Sequence, residues 1–109
     1  MSWEIKYLPE AQKDLNSLDN SQQLVTMAAI QKVQTNPLPQ HEGGYGKPLG
    51  NKHGKNLTGL LKIKLKKEGI RVVYKLMRSE TQMLIIVIGV RSDDEVYDLA
   101  YTRKTNNNL

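Results

Sequence analysis

The 109-residue chain has no cysteine and only two histidines. Disulfide scaffolds, thiolate zinc sites, iron–sulfur clusters and cysteine nucleophiles are excluded together, and a metal centre would have to rest on carboxylates. No apolar run reaches the roughly 18 residues of a membrane span, and no N-terminal basic-then-apolar pattern resembles a signal peptide. The expectation is a cytoplasmic protein with no membrane association. What remains is ordinary globular chemistry, 39% hydrophobic and 25% charged, enough for one compact domain of about 13 Å radius of gyration. A chain this short buries only about 60–70% of its unfolded surface, so its stability depends on close packing.

Acid is scarce where base is dense. Sixteen Lys and Arg face eleven Asp and Glu, a net charge of +5. Between Lys47 and Arg78 stand ten basic residues and one acid, Glu68; the rest of the chain has six basic residues and ten acids. Such a cationic region either solubilises a face or attracts polyanions, chiefly nucleic acid.

Trp3, Ile5 and Tyr7 alternate with Glu4 and Lys6, predicting a short half-buried strand. Pro9 suits a helix first turn, and Ala11, Leu15 and Leu18 recur at helical spacing. Asp19 or Asn20, with Gln22 or Gln23 three residues on, caps a second helix that ends at Asn36-Pro37. Its apolar residues spread around most of the wheel and define no clear inner face. Residues 36–56 contain three prolines and five glycines and predict a long surface loop, a class that is often functional or mobile.

Leu61, Ile63 and Leu65 alternate with lysines. Ile70, Val72, Tyr74 and Leu76 alternate across a turn at Glu68-Gly69. Setting Leu65 opposite Ile70 places Ile63 on Val72 and Leu61 on Tyr74, one wholly apolar face; a one-residue slip destroys that match. Met83 to Val90 reads as a strand covered on both faces. Ser92 with Glu95 opens a last helix that turns Val96, Leu99 and Ala100 inward. The expected fold class is α+β: an N-terminal strand, a helical hairpin, a three-stranded antiparallel meander and a C-terminal helix, with the domain at 1–104 and a flexible tail at 105–109.

The same register sets Lys64 opposite Arg71, with Lys62 and Lys75 nearby. Like charges directly across a ladder repel, so a sheet face that gathers cations without carboxylates is poised for an anion. Lysines pointing to water on an exposed sheet face are the plainer alternative. Arg91 closes the last strand beside the helix that carries Tyr97. Tyr97 and Tyr101 share a helix face, which also suits simple packing. His41 and His53 read as solvated loop residues, and Asp93, Asp94 and Glu95 as acids placed by the helix dipole.

The order Lys62-Ile63-Lys64-Leu65, Gly69-Ile70-Arg71-Val72-Val73-Tyr74, an apolar strand into Arg91, then Glu95-Val96-Tyr97 with Arg103 following resembles the RelE/ParE superfamily of type II toxins from Trp3 to about Lys104. The resemblance implies a RelE-like fold and, in the RelE branch, cleavage of messenger RNA in the ribosomal decoding site. Carried over by position, its catalytic set is Lys62, Lys64, Arg71, Arg91 and Tyr97. Lys66, Lys75 and Arg103 are further candidates for RNA contact. The implied partners are a cognate antitoxin, the ribosome and messenger RNA, with no cofactor and no metal. The 2′-OH would attack the adjacent phosphorus, the cations would stabilise the phosphorane, and Tyr97 or a neutral lysine would be the base. An unperturbed tyrosine, with a pKa of about 10, is ionised roughly once in a thousand at pH 7, so the base needs help from nearby cations and from positioning. The alternatives are a ParE-like toxin acting on DNA gyrase and a non-catalytic nucleic-acid-binding module.

Overall fold

Alternating and helical apolar patterns meet in a five-stranded sheet with helices on both faces. The computed structural model describes residues 2–52, 54–90 and 92–109. Strand β1 (Glu4–Tyr7) leads into helices α1 (Pro9–Asn16) and α2 (Asn20–Gln34). Strands β2 (Lys47–Lys52), β3 (Lys55–Leu65), β4 (Ile70–Met77) and β5 (Gln82–Gly89) follow, and helix α3 (Asp93–Asn106) ends the fold. The sheet order is β1-β5-β4-β3-β2, with β1 parallel to β5 and every other pair antiparallel. The radius of gyration is 12.8 Å.

The β3–β4 ladder has the predicted register: Leu65 on Ile70, Ile63 on Val72, Leu61 on Tyr74, and Lys64 on Arg71. The buried set includes Ile70, Val72, Tyr74, Met83, Ile85, Ile30, Val33, Ala11 and Leu15. Asp19 caps α2: its carboxylate accepts from Gln22 N at 2.8 Å, while Gln22 Oε1 accepts from Asp19 N at 3.2 Å. That reciprocal bond satisfies two donors the helix start leaves open. Packing also decides the inner face of α2. Thr26, Ile30 and Val33 are buried, whereas Leu24, Val25 and Met27 remain exposed.

Two expectations are corrected. Residues 36–56 are not one loop: they hold a 3₁₀ turn at Gln40–Glu42, all of β2 and the start of β3. β2 lacks alternation because it is an edge strand containing Pro48 and Gly50, with a register shift between them, and backbone pairing rather than side-chain pattern defines it. Before β2, the buried Tyr74 hydroxyl donates to the Pro37 carbonyl at 2.8 Å, and a Cβ at Gly44 would overlap the Leu38 carbonyl. The C-terminal boundary moves as well. α3 continues two residues past Lys104, and Leu109 N donates to the Lys104 carbonyl at 2.9 Å, so the residues expected as a tail close the helix.

Candidate functional site

The inward residues of α3, Val96, Tyr97 and Ala100, are buried against the sheet face that carries Leu60, Lys62, Val73 and Val87. Capping fixes where this helix starts: Ser92 Oγ accepts from Glu95 N at 3.4 Å. The first turn of α3 therefore lies at the end of the β3–β4 hairpin, where the register puts Lys64 beside Arg71.

Three of the predicted cations and the tyrosine are brought together there. Lys62 Nζ donates to the Tyr97 hydroxyl oxygen at 3.2 Å and stands 5.8 Å from the ring centroid. An ammonium donating to a phenol oxygen stabilises negative charge that builds on it. Tyr97 is only 5% exposed, so it packs, as its helix spacing suggested, and also holds a polar contact. Lys64 Nζ lies 3.6 Å from Asp93 Oδ2, and Arg71 Nε bonds Asp93 Oδ1. Arg71 also donates to the Gly69 carbonyl at 3.1 Å. Arg91 lies outside the described residues.

Asp93 overturns one expectation. The cationic face was expected to carry no balancing carboxylate and Asp93 to serve only the helix dipole, yet Asp93 closes on Arg71 and Lys64. The Arg71 hydrogen bond, with the positive charges of Arg71, Lys64 and Lys62, holds the Asp93 carboxyl below the usual carboxylate range. The signal that could have found it was the helix cap. The helix that Ser92 caps starts four residues after β5 ends at Gly89, whose register partner is Arg71, which brings the first turn, Asp93 included, near that strand end; the crossing of α3 decides the contact itself. A carboxylate held on two oxygens by these cations occupies a geometry that suits a phosphate.

The three candidates for RNA contact separate. Lys66 is exposed in the turn after β3, next to the cluster. Lys75 lies four residues along β4 from Arg71, roughly 13 Å away, and its Nζ donates to the Leu109 carbonyl at 3.2 Å. Arg103 lies at another margin, where it braces the sheet. Its guanidinium meets Asp14 at 2.6 and 3.3 Å and the Ile86 carbonyl at 2.9 Å, while Asp14 Oδ2 accepts from Ile88 N at 3.0 Å. β1 pairs with β5 only as far as Ile85, so this ion pair satisfies the edge groups that β1 leaves open. Of the loop histidines, His41 is exposed beside Glu42 at 3.8 Å, and His53 lies outside the described residues. Among the described residues, no group of three or more His, Cys, Asp or Glu could hold a metal ion, and no helix is long and apolar enough to cross a membrane.

No family model matches the chain. A curated RelE-like toxin protein of Escherichia coli is 24% identical over 103 residues, covering 94% of this chain and 98% of that protein. The solved structure of the isolated E. coli RelE toxin superposes with a TM-score of 0.68 at 20% identity, over 94% of this chain and 98% of its own. A chain of the Mycobacterium tuberculosis RelBE2 toxin–antitoxin complex gives a TM-score of 0.58 at 20% identity, over 84% of this chain and 100% of its own. By its strand and helix order and by this near full-length likeness, the chain has the fold of the RelE toxins and is similar to them along nearly its whole length.

Proposed function

We propose that this protein is the toxin of a type II toxin–antitoxin pair and that it inhibits translation by cutting messenger RNA on the ribosome. One observation carries the reading: Lys62, Lys64 and Arg71, from two adjacent strands, surround the first turns of the helix bearing Tyr97, with Lys62 on the tyrosine oxygen. In the proposed reaction the ribose 2′-oxygen forms a bond to phosphorus while its proton passes to the Tyr97 phenolate or to a neutral lysine. The bond from phosphorus to the 5′-oxygen breaks, and that oxygen leaves with its electron pair and takes a proton from solvent. The products are a 2′,3′-cyclic phosphate and a 5′-OH. Arg71 suits bidentate contact with the phosphorane, and Lys62 and Lys64 act as point charges; Arg91 is assigned to the same cluster by its position in sequence.

The free protein is poorly open to this chemistry, because Asp93 engages the cations and Tyr97 is nearly buried. A messenger oriented by the ribosome supplies the positioning that the small protein lacks, so activity on free RNA is weak. Neutralisation falls to an antitoxin that covers the cationic face or displaces α3.

Mapping messenger 5′ ends after brief induction tests the proposal. Cuts confined to translated reading frames, abolished by Arg71→Ala or Tyr97→Phe, support it. Intact messages with DNA damage point instead to gyrase, and RNA binding without new ends to a non-catalytic module.

A further inference from the structure

A second basic surface flanks the cluster and shares Lys62 and Lys64 with it, while Lys32, Tyr45 and Lys47 take no part in the proposed reaction. Between α2 and the start of β2 lies a groove of about 390 Å³ lined by Lys32, Tyr45, Lys47, Lys62 and Lys64 over Ile63, and no carboxylate is among its lining residues. Its size falls in the range of small-ligand sites, suited to one nucleotide and too small for a duplex. Lys47 sits directly across the ladder from Lys62, a like-charge pair that an unliganded sheet gains nothing from. The ion pairs of the described residues do not include Lys32 or Lys47. Tyr45 is 50% exposed, and Lys32 Nζ stands 5.7 Å from its ring centroid.

We propose that this groove seats a nucleotide of single-stranded RNA adjacent to the one at Tyr97, its base on the Tyr45 ring and its phosphate between Lys32 and Lys47. The proposal rests on the RNA-cleavage reading and extends it to a neighbouring subsite. Every base offers a π face to an exposed aromatic ring, while lysines alongside track the backbone. An acidic peptide would satisfy the lysines but would gain no stacking from Tyr45. Continuity decides the path. Lys62 and Lys64 line the groove and also reach Tyr97 and Asp93. β2 pairs with β3 no further than Lys62, so the strand crosses at the uncovered margin from Ile63 to Leu65.

The test is fluorescence anisotropy of the full chain with a labelled 2′-O-methyl RNA of about six nucleotides, whose blocked 2′-oxygen cannot attack, titrated at several salt concentrations. Tyr45→Ala weakens binding about 5- to 100-fold and leaves the salt slope unchanged, and Tyr45→Phe restores affinity. Lys47→Ala lowers the slope by about 0.7, one single-strand phosphate contact. Affinity within twofold of wild type in a folded Tyr45→Ala protein overturns the proposal. So does a glutamate-rich peptide of equal length that binds with the same Tyr45 dependence while the RNA does not. The two readings fail separately. Tyr45-dependent binding by a protein that cuts no message sinks cleavage alone, whereas message cutting with Tyr45-independent affinity sinks the groove alone.

Discussion

Two arginine–aspartate pairs hold α3 to the sheet, and they differ in what surrounds them. At the β5 margin, Asp14 and Arg103 are one acid and one base, with side chains 20% and 13% exposed, and their spare hydrogen-bonding capacity goes to Ile88 N and the Ile86 carbonyl. Charge is balanced and the backbone edge is satisfied. At the β3–β4 hairpin, Asp93 faces Arg71 and Lys64 with Lys62 behind them, in a more exposed setting. Among the described residues, the Asp93 carboxylate there is shared by Arg71 and Lys64, whose combined charge exceeds its own. A closed, neutral pair that completes backbone hydrogen bonds is structural. An open pair with surplus charge is where, on the proposed function, an anionic ligand would take the place of the protein's own acid.

Single substitutions can break that comparison. The largest expected effect is on activity: Arg71→Ala lowers the rate of message cutting by about 10²–10⁴, some 3–5 kcal/mol. Thermal stability should change less than in Arg103→Ala, because the Arg71–Asp93 pair is more exposed than the Asp14–Arg103 pair. Growth arrest undiminished in that variant would contradict the assignment. Arg103→Ala should do the reverse. It leaves Asp14 and the Ile86 carbonyl without their partner and costs about 3 kcal/mol of stability, a fall of roughly 12–20 °C in Tm by calorimetry; Arg103→Lys recovers only part, having lost the two-pronged contact.

Asp93→Asn sharpens the contrast from the other side. Removing the resident anion should tighten single-stranded RNA binding by about 3- to 10-fold, with a steeper dependence on salt. The pH response follows from the lowered Asp93 carboxyl. A group depressed in the folded state adds stability above its unfolded pKa of about 3.9 and loses it as pH falls through the lower folded value. The Tm difference between wild type and Asp93→Asn should therefore be constant above about pH 5 and shrink below pH 4. The smallest effect concerns neither pair. Thr26 is buried with its hydroxyl lacking a partner among the described residues, so Thr26→Val should be neutral or stabilising by up to about 1 kcal/mol in chemical denaturation.

The β3–β4 register was legible because two alternating strands share a single apolar match, and Lys64 beside Arg71 followed from it. Both helix caps were legible as well, since Asp19 and Ser92 each precede a glutamine or glutamate at the spacing a cap requires. β2 was not, because an edge strand broken by Pro48 and Gly50 carries no periodicity to read. The inner face of α2 was hidden for a related reason: apolar residues all around its wheel leave the choice to packing. Within the site, the residue types and their strands came from local pattern and family resemblance, but the Asp93 contact joins residues 22 apart and depends on how α3 crosses the sheet.

Apart from β2, local rules thus determined the elements, two of the helix caps and the cationic stripe on β3 and β4, because propensity, periodicity and register act over a few residues. Only the tertiary structure decided what those charges meet. Helix α3 could have laid any of its polar residues on that stripe. Its crossing set Asp93 and Tyr97 there and sent Arg103 to the far margin, where β5 had backbone groups still to satisfy.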